Sequence, residues 1–401
     1  MDRKASPKLR SARGSAIRSS TLPNDPQRDR SLLQIAEARA ALAKEYKGIT
    51  VGYRTPGLFP VFRTGKSLKS IVEAARSFEA CLTEEQSRQV HFDIDSTNWR
   101  AWHNAHRFLL RHGLLLDELN DGQRQRATNL IRVSLSATGY ESARDVMRLN
   151  EHAREITGRS EEYGEWFYWI SIFGQPSLTE PWGWQLDGHH LIINCFVLGD
   201  QIVMTPDFRG SEPNFAEWGK FAGMRVFEEE ESRGLELMNA LTVDQQRRAI
   251  IGKELPDDVF AGAQVDNLKL NYSGVPCRAL EKPQQDLLLN LIDVYVGRIR
   301  PDHAKVRMAE VKEHLPQTLF GWIGDLRQGS PFYYRVYSPV ILIEFDHLPG
   351  TIWDNLEPTR NHIHTIVRTP NGNDYGRDLL RQHYEEHDHS HSHTAHRRGL
   401  A

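Results

Sequence analysis

The sequence predicts an α+β fold, a helical N-terminal part packed with a mixed or antiparallel sheet that carries a histidine/glutamate site. Three observations carry this expectation. Strand-like segments lie on both sides of a helical block, hairpin-like turns join them, and two histidine pairs and an acid fall on those segments. A parallel sheet would instead show regular strand–helix–strand alternation.

Residues 1–30 are dominated by Ser, Arg, Pro and Asn. Their few apolar side chains do not offset the entropy of ordering, so a disordered basic tail is expected. From Ser31, Leu32, Leu33, Ile35, Ala36 and Leu42 take helical spacing. After a Gly/Pro break over 52–64 (GYRTPGLFPVFRT), a second helix is predicted over 67–82. Thr83 and Thr242 each stand three residues before a glutamine, Gln86 and Gln245, and Asn120 stands likewise before Gln123. These are capping-box signatures, and the recurrence reads as plain helix initiation. Residues 66–157 are therefore mostly helical.

The texture changes at Glu162. EWFYWISIFG (165–174) is aromatic and β-branched, and HHLIINCFVLGDQIVMTP (189–206) reads as a hairpin turning at Gly199-Asp200. A Gly/Pro loop (207–223) follows, then helices over 222–252 and 283–314. Strands return over 319–326, 331–347 and 361–370, and a last helix starts near Tyr375. Residues 31–386 are expected to form one integrated domain, with the strands of 165–206 and 319–370 in one sheet. Residues 387–401 form a flexible His-rich tail, either a loose metal binder or a neutral extension.

Net charge is −3 and the pI is near 6.7, which point to neither nucleic acid nor an anionic membrane as partner. No run approaches the roughly 20 apolar residues that span a bilayer, and no apolar segment follows the N-terminal charges as in a secretory signal. Three cysteines without CxxC spacing, Cys81, Cys195 and Cys277, suggest a reducing compartment, hence a cytoplasmic location. P-loop, dinucleotide, GxSxG and HExxH motifs are absent from the sequence.

In NHIH, His362 and His364 lie at i and i+2, on one face of a strand and about 7 Å apart, a spacing that lets two imidazoles chelate one ion. In PVILIEFDH, Glu344 and Asp346 interrupt an apolar strand, and a buried carboxylate there must be paired, protonated or metal-bound. In WGWQLDGHH, His189 and His190 are adjacent. An ideal strand points them to opposite faces, giving one ligand, whereas a bulge near Gly188 lets both contribute. His189, His190, Glu344, His362 and His364 are thus the candidate ligands for a divalent transition metal: Fe, Mn, Cu or Zn. Arg335 is a candidate for orienting an anionic substrate and Tyr334 for proton donation, with Asp346 or Asp187 as general base. Trp182, Trp184, Gln185, Asn194, Arg209, Tyr333, Asn361 and Arg377 are further possible substrate contacts.

EPWGWQLDGHHLIINCFVLGDQIVMTPDFRGSEP together with YYRVYSPVILIEFDH…NHIHTIVRTPNGNDYGRDLLRQHY resembles the family catalogued as domain of unknown function thirty-five hundred, over residues 66–387. The resemblance implies that GHH, IEFD and NHIH act as one constellation, and it brings no reaction with it. The insert between IEFD and NHIH is longer than in many members, which alters the pocket rim, and the export signal of some members is not seen here. The functional expectation is a metal-dependent oxidoreductase acting on a small organic substrate. The alternatives are a zinc-dependent hydrolase or lyase, and a metal- or ligand-binding protein without turnover.

Overall fold

The computed structural model describes residues 35–105 and 110–387; the N-terminal tail, and the C-terminal tail from residue 388, lie outside them. The first half of the described chain holds α1 (35–42), α2 (Lys69–Glu79), α3 (Glu84–Val90), β1 (His91–Phe92), β2 (Leu114–Leu115), α4 (Asp121–Ser134) and α5 (Ala137–Thr157). Five strands complete it: β3 (Tyr168–Gly174), β4 (Trp182–Gly188), β5 (Leu191–Leu198), β6 (Gln201–Val203) and β7 (Asp207–Ser211). The second half holds α6 (Glu228–Ala240), α7 (Val243–Ala249), β8 (Val275–Pro276), α8 (Lys282–Val296) and α9 (Pro301–Glu313). It ends with β9 (Leu319–Gly324), β10 (Phe332–Tyr337), β11 (Leu342–His347), β12 (Ile363–Arg368) and α10 (Arg377–Glu386).

The strands form one mixed sheet in the order β1-β3-β4-β5-β7-β12-β11-β10-β9-β8, with β2 added to β3 and β6 to β5. Pairing is antiparallel throughout except between β1 and β3. The α+β expectation therefore stands. No helix among the described residues is long and apolar enough to cross a membrane.

One plan occurs twice. In the first half the capping boxes of α3 and α4 are bolted together, Gln123 donating to Gln86 and to the Cys81 carbonyl. In the second half Gln284 donates to Gln245 and to the Ala240 carbonyl, joining the boxes of α7 and α8. Gly113 and Gly274 both have positive φ, and a Cβ on either would lie 2.3 Å from a strand carbonyl oxygen, that of Ile170 or Phe320. The hairpins that follow begin at Gly174 and Gly324, each backed by a proline carbonyl. Each capping box does initiate a helix, as read from the sequence. The recurrence also marks equivalent places in a duplicated arrangement, which the local reading did not reach.

Side chains alternate across the sheet. Ile193, Cys195, Ile343 and Val367 pack beneath the helices with Leu130, Leu149, Leu237 and Leu291. On the opposite face Ile192, Phe196, Phe208 and Ile366 pack beneath Trp99, Trp102 and Tyr375. The covers of this second face are tied down by charge. Buried Arg368 bonds Asp374 and Asp266, each at 2.8 Å, and Asp266 also takes Arg100 at 2.7 Å. Removing one partner from such a network typically costs about 3–5 kcal/mol.

Candidate metal centre

Gly188 and Leu191 pair across β4 and β5, so His189 and His190 are the two central residues of the hairpin turn between them. His190 has φ 60. That left-handed conformation is one that turns usually give to Gly or Asn, and in another residue it costs on the order of 1–3 kcal/mol. The neighbourhood enforces it: the His190 amide donates to the Asn104 carbonyl at 3.1 Å, and its carbonyl accepts from Gly210 at 2.8 Å. The turn replaces the strand geometry expected from the sequence, so neither alternation nor a bulge decides where the two rings go. They stack at 3.9 Å between centroids and 25° between planes. His189 lies behind, its Nδ1 donating to Asn150 Oδ1 at 2.7 Å, while His190 faces the β12 histidines.

His362 stands just before β12 and His364 within it, and their rings are 4.7 Å apart between centroids. On the neighbouring strand Gly210 is opposite His364. A Cβ there would lie 2.7 Å from His364 Cδ2 and 3.2 Å from His190 Cδ2. Glycine is what leaves the imidazoles room.

His190, His362 and His364 form a buried group whose ligand atoms all lie within 4.8 Å of one another. His362 Nε2 is 3.3 Å from His190 Nε2 and 3.1 Å from His364 Nε2. The opposite nitrogens fix the tautomers. His362 Nδ1 is 2.7 Å from the Pro349 carbonyl oxygen, which only accepts, so Nδ1 carries the proton. His364 Nδ1 donates to Asp258 Oδ1 at 2.7 Å. Both Nε2 atoms then turn lone pairs toward each other. Burial, and then His364, hold the His362 ring down at about 3, so His362 does not relieve this by taking a second proton at neutral pH. A cation does relieve it. Zinc–nitrogen bonds of 2.0–2.1 Å set neighbouring donors roughly 2.9–3.4 Å apart, from octahedral to tetrahedral angles, and the two spacings from His362 Nε2 fall in that window. Imidazoles oriented through Nδ1 by a carbonyl and a carboxylate are the usual support of metal-ligating histidines. The donor set fits a divalent transition metal.

The acids take different roles. Asp346 is paired in register with both His364 and Tyr333, which puts the three side chains on one face. It is fully buried, and neither carboxyl oxygen has a hydrogen-bond partner among the described residues. Burial, and then the like charges of Asp258 and Glu344, push it well above the usual carboxylate range. Glu344 does not join the trio. Its oxygens accept from the Phe260 and Ala261 amides at 2.7 and 2.9 Å and from the Tyr333 hydroxyl at 2.9 Å, which ties the covering loop to the sheet. Tyr334 lies on the helical face, bonded to the Tyr295 hydroxyl and the Glu230 carbonyl, because strand alternation turns it away from Tyr333. Arg335 shares the site's face but donates to Ser273 at 2.7 Å and stands opposite Glu344. Asp187 is engaged by Arg111 at 2.6 Å.

Of the other suggested contacts, Trp182 and Trp184 belong to the core. Gln185 and Asn194 bond each other at 2.7 Å, Arg209 reaches the Gly139 carbonyl of α5, and Arg377 reaches the Ser96 carbonyl. Asn361 is exposed beside the trio's strand. Sequence reasoning missed Asp258, Asn150, Gly210 and Glu212. Glu212 accepts the Thr351 and Ile352 amides at 2.9 Å each, and so clamps the insert that precedes NHIH, 3.8 Å from His362 Nδ1. The acidic pair in PDDVF was the one available signal for Asp258. Nothing in the sequence linked the others to the histidines.

No curated protein and no solved structure matches the chain. A family model described as "Protein of unknown function (DUF3500)" matches residues 64–377. That span carries the turn histidines, Asp258, IEFD and NHIH, so the whole constellation lies within the family's own region, and the chain belongs to the DUF3500 family.

Proposed function

We propose that this protein is a metal-dependent enzyme, an oxidoreductase acting on a small organic substrate, with a divalent transition ion held by His190, His362 and His364. One observation carries the reading: Nε2 lone pairs converge at 3.1–3.3 Å while the Nδ1 atoms of His362 and His364 are committed elsewhere. Three neutral donors leave the ion its full charge and open positions, and imidazole suits Zn, Cu, Fe and Ni alike. A bound ion there would supply Lewis acidity and, for iron, manganese or copper, one-electron chemistry. The chain's own part is to orient and to move protons. Asp258, its side chain 42% exposed, holds His364 in one tautomer. Asp346, buried beside His364 and Tyr333, serves as the proton-transfer group.

A second reading, zinc-dependent hydrolysis or lyase chemistry, is favoured by the same Asp346, since an unpartnered buried acid is what general acid–base catalysis requires. The test is elemental analysis of the chain ending at residue 387, beside a His362→Ala/His364→Ala variant. About one equivalent of Fe, Mn or Cu in the former, lost in the latter, with substrate-dependent oxygen uptake, is the expected result. Zinc as the activating ion moves the assignment to the second reading. No retained metal after reconstitution overturns both.

A further inference from the structure

A cavity lies on the face of the sheet opposite the metal centre. It encloses about 530 Å³, within the 300–1,000 Å³ typical of small-molecule sites. Val367 of β12 lines it, and strand alternation turns Val367 away from the face that carries His364. The rest of the wall comes from β6 and the residue after it (Ile202, Met204), from Ile299 beyond α8, from Val306 of α9, and from a strap over residues 57–64. The strap is fastened along its length. Its Phe62 and Thr64 amides donate to Gln201 and Asp200, at 2.8 and 2.9 Å, and its Phe59 carbonyl accepts from Gln382 at 2.7 Å. Phe62 is 48% exposed, so an apolar side chain stands in solvent on the strap that borders this cavity.

The inner charged groups of the wall are already engaged, while Glu313 stands exposed to solvent. Asp207 takes Arg209 at 3.1 Å, and Arg307 pairs with Glu310 while donating to the Val340 carbonyl and Thr369. One polar atom is not satisfied. His303 Nε2 is 2.9 Å from the Asp200 carbonyl oxygen, which only accepts, so Nε2 carries the proton and Nδ1 presents a bare lone pair. That Nδ1 is buried behind the wall and has no partner among the described residues, so a ligand's donor meets it once the ring turns toward the cavity. Burial also holds the ring's affinity for a proton down, so His303 stays an acceptor.

We propose that this cavity binds a neutral, largely apolar small molecule that donates one hydrogen bond to His303. Neutrality follows from the paired charges of the inner wall, the apolar body from its side chains, and the single donor from Nδ1. The site is independent of the metal centre, which lies on the other face.

N-phenyl-1-naphthylamine is the probe: it is neutral and apolar, carries one N–H, and brightens in apolar surroundings. The full chain should give saturable, one-to-one enhancement. Val306→Trp, which fills the cavity from its partly exposed wall, should weaken binding at least tenfold, and His303→Phe several-fold. Ile299→Phe is the second filling variant should Val306→Trp fail to fold, as judged by circular dichroism. The His362→Ala/His364→Ala chain should bind the probe as wild type does. No saturable enhancement in the wild type, or undiminished affinity in the folded filling variants, overturns the proposal. So does loss of binding in the folded metal-site variant.

Discussion

Gln185 and Asn194 face each other across β4 and β5 as Arg335 and Glu344 do across β10 and β11. The correspondence is close, since Gln185 follows Gly174 by the same interval as Arg335 follows Gly324. Two residues further on, Phe196 of β5 stands where Asp346 stands in β11. The helices repeat the contrast. Counted back from the capping threonines Thr83 and Thr242, buried Ile71 and Val72 of α2 occupy the places of Glu230 and Glu231 of α6. One half fills the shared plan with amides and hydrocarbon, the other with charge. The fold is evidently content with the first filling. Glu230, Glu231 and Glu344 pair with Arg298, His347 and loop amides and so serve the fold, whereas Asp346 has no partner among the described residues and lies beside His364. An ionisable group held in this way against the cost of burial marks a functional site.

The largest effect should follow from neutralising the acid that the first half replaces with phenylalanine. Asp346→Asn should lower turnover by about 10²–10⁴, the usual contribution of a positioned acid–base group. Stability should stay within about 1 kcal/mol, because no hydrogen bond is broken. A large fall in melting temperature would place Asp346 among structural residues and weaken the contrast between the halves. Next comes Asp258→Ala, which frees His364 Nδ1. Metal affinity should drop roughly 10–100-fold with the fold unchanged, as measured by chelator competition. Unaltered affinity would mean that the His364 tautomer is fixed by something else.

Glu231 accepts from His347 Nε2 at 3.0 Å and from Arg360, joining α6 to the end of β11 and to the loop before NHIH. Burial alone would raise its pKa, but these partners outweigh burial and bring it from 4.5 to about 2. A depressed folded pKa gives stability that is complete above the ordinary value and is lost as pH falls from about 4.5 toward 2. The shift corresponds to roughly 3 kcal/mol, and partial exposure trims that to about 2. Wild type should therefore melt above Glu231→Gln at pH 7, with the gap closing below pH 4. A gap that persists unchanged at pH 3 would sink the assignment.

Much of this site was legible in the sequence for simple reasons. Histidines at i and i+2 on a strand share a face whatever the register, so His362 and His364 were readable as a pair. A carboxylate in an apolar run must have a partner or a proton, which flagged Glu344 and Asp346 alike. Which of the two would be satisfied was not readable, because the amides that hold Glu344 come from Phe260 and Ala261, far away in the chain. His189 and His190 were read on strand geometry, whereas a two-residue turn with a left-handed histidine sets them. The duplication was visible as recurring capping boxes but not as a fold, since its two hairpins share spacing and glycines rather than side-chain chemistry.

The smallest effect tests whether the halves are equivalent where they look alike. Gln123 and Gln284 are each 7% exposed, and each donates to one carbonyl and one partner glutamine. Leucine at either place leaves a carbonyl, that of Cys81 or Ala240, without its side-chain donor, at about 1 kcal/mol. Gln123→Leu and Gln284→Leu should thus lower the denaturation midpoint by nearly the same amount and leave metal content untouched. If the second cost markedly more, or if metal were lost with it, the charged half would be tuned as a unit down to its helix bolts. Equal costs would mean that the duplication supplies a neutral frame, with function confined to the acids and histidines laid over it.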